Sequence, residues 1–199
     1  MTLGILGKLL LAAGAYEVSM TIRSHLEEHT YWKLAREHCS EVGKPLLLIG
    51  MRRWWKIIEG MPNGDVTLDL DPAVQGIEGG VWADERDMPF ADKQFGACVN
   101  EHTLEHLHLV EDIQLAVNEC VRVADKSIFI APSPYSIYAN FFVPGHNFRL
   151  WFDSVNNKIG VVDNLYRTGL GYTSGVGQTL VAESEAPVVV SNKKTFMIW

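Results

Sequence analysis

The stretch from Val81 to Leu107, VWADERDMPFADKQFGACVNEHTLEHL, constrains the fold more than any other part of the chain. A short apolar run closes at Ala83-Asp84-Glu85, and Met88-Pro89-Phe90 with Asp92 makes a turn. Phe95 to Val99 is a second apolar run, and Asn100-Glu101-His102 crowds polar groups where it stops. Short apolar runs bounded by turn signals read as strands buried on both faces, as in parallel sheets. Ligands of open α/β sheets bind beyond the carboxyl ends of the strands, so these polar residues are site candidates by position.

The pattern recurs on both sides. Leu46 to Ile49 is fully apolar and ends at Gly50. Arg52 to Glu59 can form a short helix, ended by Gly60 and Pro62. Val66 to Leu70 is the next expected strand, with Asp69 and Asp71 on one face by the period of two. The link Ala73 to Gly80 is barely long enough for a crossover helix, so that unit is expected to be pared down. Leu109 to Val121 places Ile113, Val117, Cys120 and Val121 at helical spacing. Ser127 to Ala131 is another apolar strand, stopped by Pro132 and Pro134. Residues 135–160 read as irregular and aromatic-rich. Strands are expected at Thr179 to Glu183, Val188 to Val190 and Thr195 to Trp199. The order predicts an α/β fold, a sheet parallel at first with antiparallel C-terminal strands.

The N-terminus reads in two parts. Leu3 to Tyr16 is apolar except for Lys8 and shorter than the ~20 residues of a transmembrane helix. No basic residue precedes it as in a secretory signal. It is expected to be a helix buried against the domain; the other reading makes residues 3–20 a docking segment for a membrane surface or a partner protein. Residues 24–42 look like a second, amphipathic helix. Ser24 and Glu27 are spaced as a capping box, Leu26, Thr30, Leu34 and Val42 lie near one face, and Gly43 and Pro45 end it. These helices give an N-terminal helical segment, 1–43, ahead of an α/β domain, 44–199.

A net charge of −7 argues against a large phosphate-binding face, so no nucleic acid partner is expected. Cys39, Cys98 and Cys120 are far apart and odd in number, which fits a reduced, cytoplasmic chain.

The 81–107 segment resembles class I S-adenosylmethionine-dependent methyltransferases of the type 11-like group, whose middle region looks like "aDa-x-x-LPF-x-D-x-x-FD-x-V-x-x-x-H-x-LEHL". The resemblance extends over about residues 44–150. It implies a doubly wound, mostly parallel, Rossmann-like methyltransferase fold with shortened crossovers. It also implies S-adenosylmethionine as cofactor, held around Gly50, Asp69, Asp71, Asp84, Glu85 and Asn100. Asp69 corresponds to the carboxylate that takes the ribose hydroxyls, with Asp71 second, and Asp84 to the acid ending the third strand. A turn-capping role is the alternative for both Asp71 and Asp84. His102, at the mouth of the fourth strand, and His146, in PGHNFRLW, would face the methyl acceptor, with His102 serving as general base if its pKa is near neutral.

The chain also departs from the family. The cofactor loop there is roughly "D/E-x-G-x-G-x-G", whereas Leu48-Ile49-Gly50-Met51-Arg52-Arg53-Trp54 keeps one glycine and places Arg52 and Trp54 in the space of the cofactor. Gly96 stands where the family has Asp. HTLEH, 102–106, formally fits an H-x-x-E-H zinc pattern, but its flanks are those of a methyltransferase and no metal is expected. Two functions follow. The first is methyl transfer to a small-molecule, lipid or glycan acceptor. The second is a catalytically inactive methyltransferase-like domain serving as a structural or assembly subunit, with the aromatic 135–152 segment as a possible homo-oligomer contact.

Overall fold

The computed structural model describes residues 4–52, 62–133, 135–153, 158–163, 179–180 and 188–190. The expected helix at 52–59, with Arg53 and Trp54, lies outside the described residues beyond its first position, and so does the expected strand at 195–199.

The apolar runs form the centre of a parallel sheet. β1 (Leu46–Ile49) lies between β2 (Val66–Asp69) and β4 (Phe95–Glu101), with β3 (Gly80–Trp82) outside β2 and β5 (Ala124–Ile130) outside β4. In register, Leu48 faces Thr67 on one side and Val99 on the other. Every residue of β1 and β4 is buried, as continuous apolar runs require of central strands. β9 (Val188–Val190) adds to β5 in parallel, so this tail strand extends the main sheet. The antiparallel strands form a separate sheet, β6 (Phe148–Asp153), β7 (Lys158–Asp163) and β8 (Thr179–Leu180). Residues 148–153, expected to be irregular, are therefore a strand. Phe148 and Leu150 point into the core beside Ile159 and Val161, the alternation of a one-faced antiparallel strand.

Alternation along β1 divides the core. Leu47 and Ile49 face α2 (Val110–Val123), meeting Ile113, Ala116, Val117 and Cys120. Leu46 and Leu48 face α1 (Ile5–Val42), meeting Trp32, Ala35 and Cys39. The link from β2 to β3 holds only a 3-10 turn, Pro72–Gly76, in line with its length.

α1 corrects the sequence reading three times. It is one helix of 38 residues, because no proline and no tolerated break interrupts 5–42. Ser24 is therefore not a cap but a mid-helix residue whose hydroxyl donates to Glu28 at 3.4 Å. The buried face is Glu28, Trp32, Ala35 and Cys39, while Leu26, Leu34 and Val42 are exposed. Gly96 supplies the reason: a Cβ there would sit 3.0 Å from the Cys39 Cα and 3.0 Å from Val42 Cγ2, so a bare backbone on β4 lets the last turns of α1 lie flat on the sheet. Finally, the apolar start of α1 is not buried: Ile5, Leu6, Leu9, Leu10 and Leu11 are all exposed. By length and composition α1 contains a stretch apolar enough to cross a membrane.

Candidate cofactor site

A cavity of about 560 Å³ opens at the carboxyl ends of β1, β2 and β4, within the ~300–1,000 Å³ typical of small-ligand sites. The chain leaves β1 toward β2 on one side while β4 lies on the other, so the cavity sits at the topological switch point of the sheet. Its walls include Gly50, Met51, Arg52, Asp69, Glu85, Glu101, His102, Thr103 and His106.

Gly50 makes the turn out of β1. Its φ is +91°, and a Cβ would lie 2.7 Å from the Glu101 carbonyl oxygen, so only glycine lets the β1 and β4 ends approach this closely. Asp69 ends β2 beside it. One carboxylate oxygen accepts from the Met51 N–H at 2.6 Å and the other from the Asp71 N–H at 2.8 Å. A carboxylate has about four acceptor positions, so Asp69 is fixed by the backbone yet retains capacity toward the cavity it lines.

Below them lies a polar network. Glu85, buried, accepts from Asn100 Nδ2 at 2.5 Å and from the Thr103 hydroxyl at 2.8 Å. That hydroxyl also lies 2.7 Å from Asn100 Oδ1, and its single proton serves one acceptor at a time. Burial pushes the Glu85 carboxyl up to about 7, outweighing the two hydrogen bonds that favour its charged form.

The α1 side carries charge pairs. His102 adopts a left-handed φ of +55°, and its backbone N–H donates to the Ile130 carbonyl at 2.8 Å. Its ring lies between two carboxylates, with Nε2 3.0 Å from Glu28 and Nδ1 3.3 Å from Glu105. Burial opposes the charge, but the bonds to Glu105 and Glu28 win and raise its pKa to about 10. At that value His102 is charged at neutral pH, and the condition attached to its role as general base, a pKa near neutral, is not met. Burial likewise opposes ionisation of Glu105, and the His102 cation overcomes it, holding that carboxyl below its ordinary value. Arg52 does not fill the cavity: its buried guanidinium pairs with Glu101 and lies 4.1 Å over the Trp32 ring on α1.

The candidates thus separate by position. Gly50, Asp69, Glu85 and His102 line the cavity, and Asn100 supports Glu85 from beneath. Asp71 stands outside it and caps the 3-10 turn through the Ala73 N–H at 2.9 Å. Asp84 is also outside. It is clasped by Arg86, whose bonds hold its carboxyl below the usual range, while Arg86 reaches on to Asp112 at 2.9 Å. His146 bonds the Ala139 carbonyl at 2.9 Å and packs edge-on against His106, 4.8 Å between ring centres. Burial lowers its pKa. For these three the position matches a structural role.

The H-x-x-E-H spacing does not place its two histidines on one face of a helix, as that motif requires, because His102 is left-handed and only Leu104–His106 form a 3-10 turn. Two groups, Glu28-Glu101-His102 and Glu105-His106-His146, do bring ligand atoms within 4.8 Å of one another. The first is already compensated by Arg52 and the His102 cation.

Sequence reasoning missed Thr103, Glu28 and the Arg52–Glu101 pair. Thr103 could have been found, since it follows the polar cluster directly. Glu28 could not, lying 74 residues from His102 and in a helix assigned another face.

Residues 71–130 match the family model of a methyltransferase domain. The match supports a class I S-adenosylmethionine-dependent methyltransferase, type 11-like, a family that generally binds S-adenosylmethionine. It covers less than a third of the chain and begins just beyond Asp69, so Gly50 and Asp69 stand on geometry alone. No curated protein matches the chain.

Proposed function

We propose that this chain, with its class I methyltransferase-like segment, transfers a methyl group from S-adenosylmethionine to a small-molecule, lipid or glycan acceptor. The observation that carries the reading is the open cavity at the switch point, with the Asp69 carboxylate and the bare Gly50 backbone side by side on its wall. These residues fit the cofactor: Asp69 would accept hydrogen bonds from the vicinal ribose hydroxyls, and the positive-φ turn at Gly50, on the cavity wall, would face the methionine part. When bound, the cofactor supplies a methyl group on a positively charged sulfur, ready for an in-line nucleophile.

The protein's own part is alignment, which needs no base where the acceptor is already nucleophilic. Where the acceptor has a proton to lose, Glu85 is the group to receive it. It lines the cavity, and its pKa of about 7 matches what a general base near neutral pH requires. His102, held as a cation by Glu28 and Glu105, instead has its charge spent on those two carboxylates.

One observation favours an inactive, structural domain: Arg52 stands where the family loop has a glycine, and it is invested in packing against Trp32. Calorimetric titration with S-adenosylhomocysteine separates the readings. The enzyme reading expects saturable binding that Asp69→Ala weakens strongly; absence of heat at millimolar ligand supports the structural one.

A further inference from the structure

The first two turns of α1, residues 5–11, have no cover among the described residues, and their shape points to what covers them. Ile5, Leu6, Leu9, Leu10 and Leu11 are 61–81% exposed. Successive helical residues turn about 100°, so Leu9, Leu10 and Leu11 point in three directions and no single stripe holds the apolar surface. A single protein groove or a second copy covers one stripe of a helix, whereas a lipid phase covers its whole circumference. Of the two charged residues between 5 and 22, Lys8 alone lies in the exposed apolar stretch, eight residues or about 12 Å along the axis from Tyr16. Glu17 is turned into the protein, accepting from the Ser136 hydroxyl at 3.0 Å and from the Ile137 N–H at the start of α3 (Ile137–Phe141). That contact places Tyr138 and Phe142, 62% and 67% exposed, beside the helix where it leaves the domain. Aromatic residues in such a collar belong at the headgroup level of a bilayer.

We propose that α1 inserts residues 5–16 into a lipid bilayer, with Tyr138 and Phe142 at the interface, so that the domain works at a membrane surface. Those residues rise about 18 Å at 1.5 Å each, roughly half of a ~30 Å hydrocarbon layer. Attraction to anionic lipid is not required. With a net charge of −7 the chain gains nothing from it, so neutral phosphatidylcholine is a sufficient target.

The test is flotation of the full chain with phosphatidylcholine vesicles at low and high salt, alongside Leu9→Asp/Leu10→Asp and Tyr138→Ser/Phe142→Ser. The wild-type chain should float at both salt concentrations. The first variant should lose partitioning on the order of a hundredfold per substitution, with its thermal transition unchanged because residues 28–39 still pack on the sheet. The second variant should float less completely. A wild-type chain that stays with the soluble fraction, including as a dimer that Leu9→Asp/Leu10→Asp dissociates, overturns the proposal. So does equal flotation of wild type and the first variant. Because flotation needs no cofactor, its outcome is independent of the methyl-transfer reading.

Discussion

Glu85→Gln should stabilise the protein, and by an amount that depends on pH. The carboxyl is buried among Asn100, Thr103 and the charge of Glu105, and its pKa stands at about 7 against an ordinary 4.5. Between those values the native state keeps a proton that the unfolded chain has released, so stability falls as pH rises from about 4.5 to about 7. At about 1.4 kcal/mol per pH unit, the loss reaches roughly 3 kcal/mol once both states are ionised. Glutamine keeps an oxygen to accept from Asn100 and Thr103 and presents an amide where the protonated acid has its hydroxyl. The variant should therefore match wild type near pH 4.5 and exceed it by about 2–3 kcal/mol at pH 8. Urea unfolding of both proteins at pH 4.5, 6 and 8 measures this directly, and titrating groups remote from Glu85 cancel in the difference. A difference that is the same at all three pH values would refute the reasoning, because it would show that Glu85 ionises at its ordinary pKa.

Other substitutions test the packing. Gly96→Ala puts a methyl group 3.0 Å from the Cys39 backbone and should cost about 1–3 kcal/mol in denaturant unfolding, since α1 must lift from β4. Arg52→Met removes the guanidinium from buried Glu101 and should destabilise by about 3–5 kcal/mol, with Arg52→Met/Glu101→Gln recovering much of the loss. An Arg52→Met variant as stable as wild type would mean that the pair is not buried in solution.

The central sheet was readable in the sequence because β1, β4 and β5 are buried on both faces and leave continuous apolar runs with polar stops. The same stops located the site: Asp69 and Glu85 stand at or just beyond strand ends and line the cavity. What local pattern could not convey was orientation. Leu26 and Leu34 look like an inward face, but the face of α1 that packs is set by the bare backbone of Gly96 in a distant strand. His102 looked like a base because its two carboxylate neighbours come from α1 and from the turn after β4, and only folding brings both to one ring. Arg52 looked like an obstruction because the Trp32 and Glu101 that draw it aside are equally remote in sequence. The β6–β7 hairpin was hidden in an aromatic stretch where alternation is masked by residues apolar on both faces.

The account's central claim, that Gly50 and Asp69 form the wall of a working cofactor site, is tested most directly by calorimetric titration of the full chain with S-adenosylhomocysteine. Saturable binding with one site per chain, weakened at least tenfold in Asp69→Ala while the unfolding transition is preserved, is the predicted result. No binding at millimolar ligand, or an affinity that Asp69→Ala leaves unchanged, would contradict it.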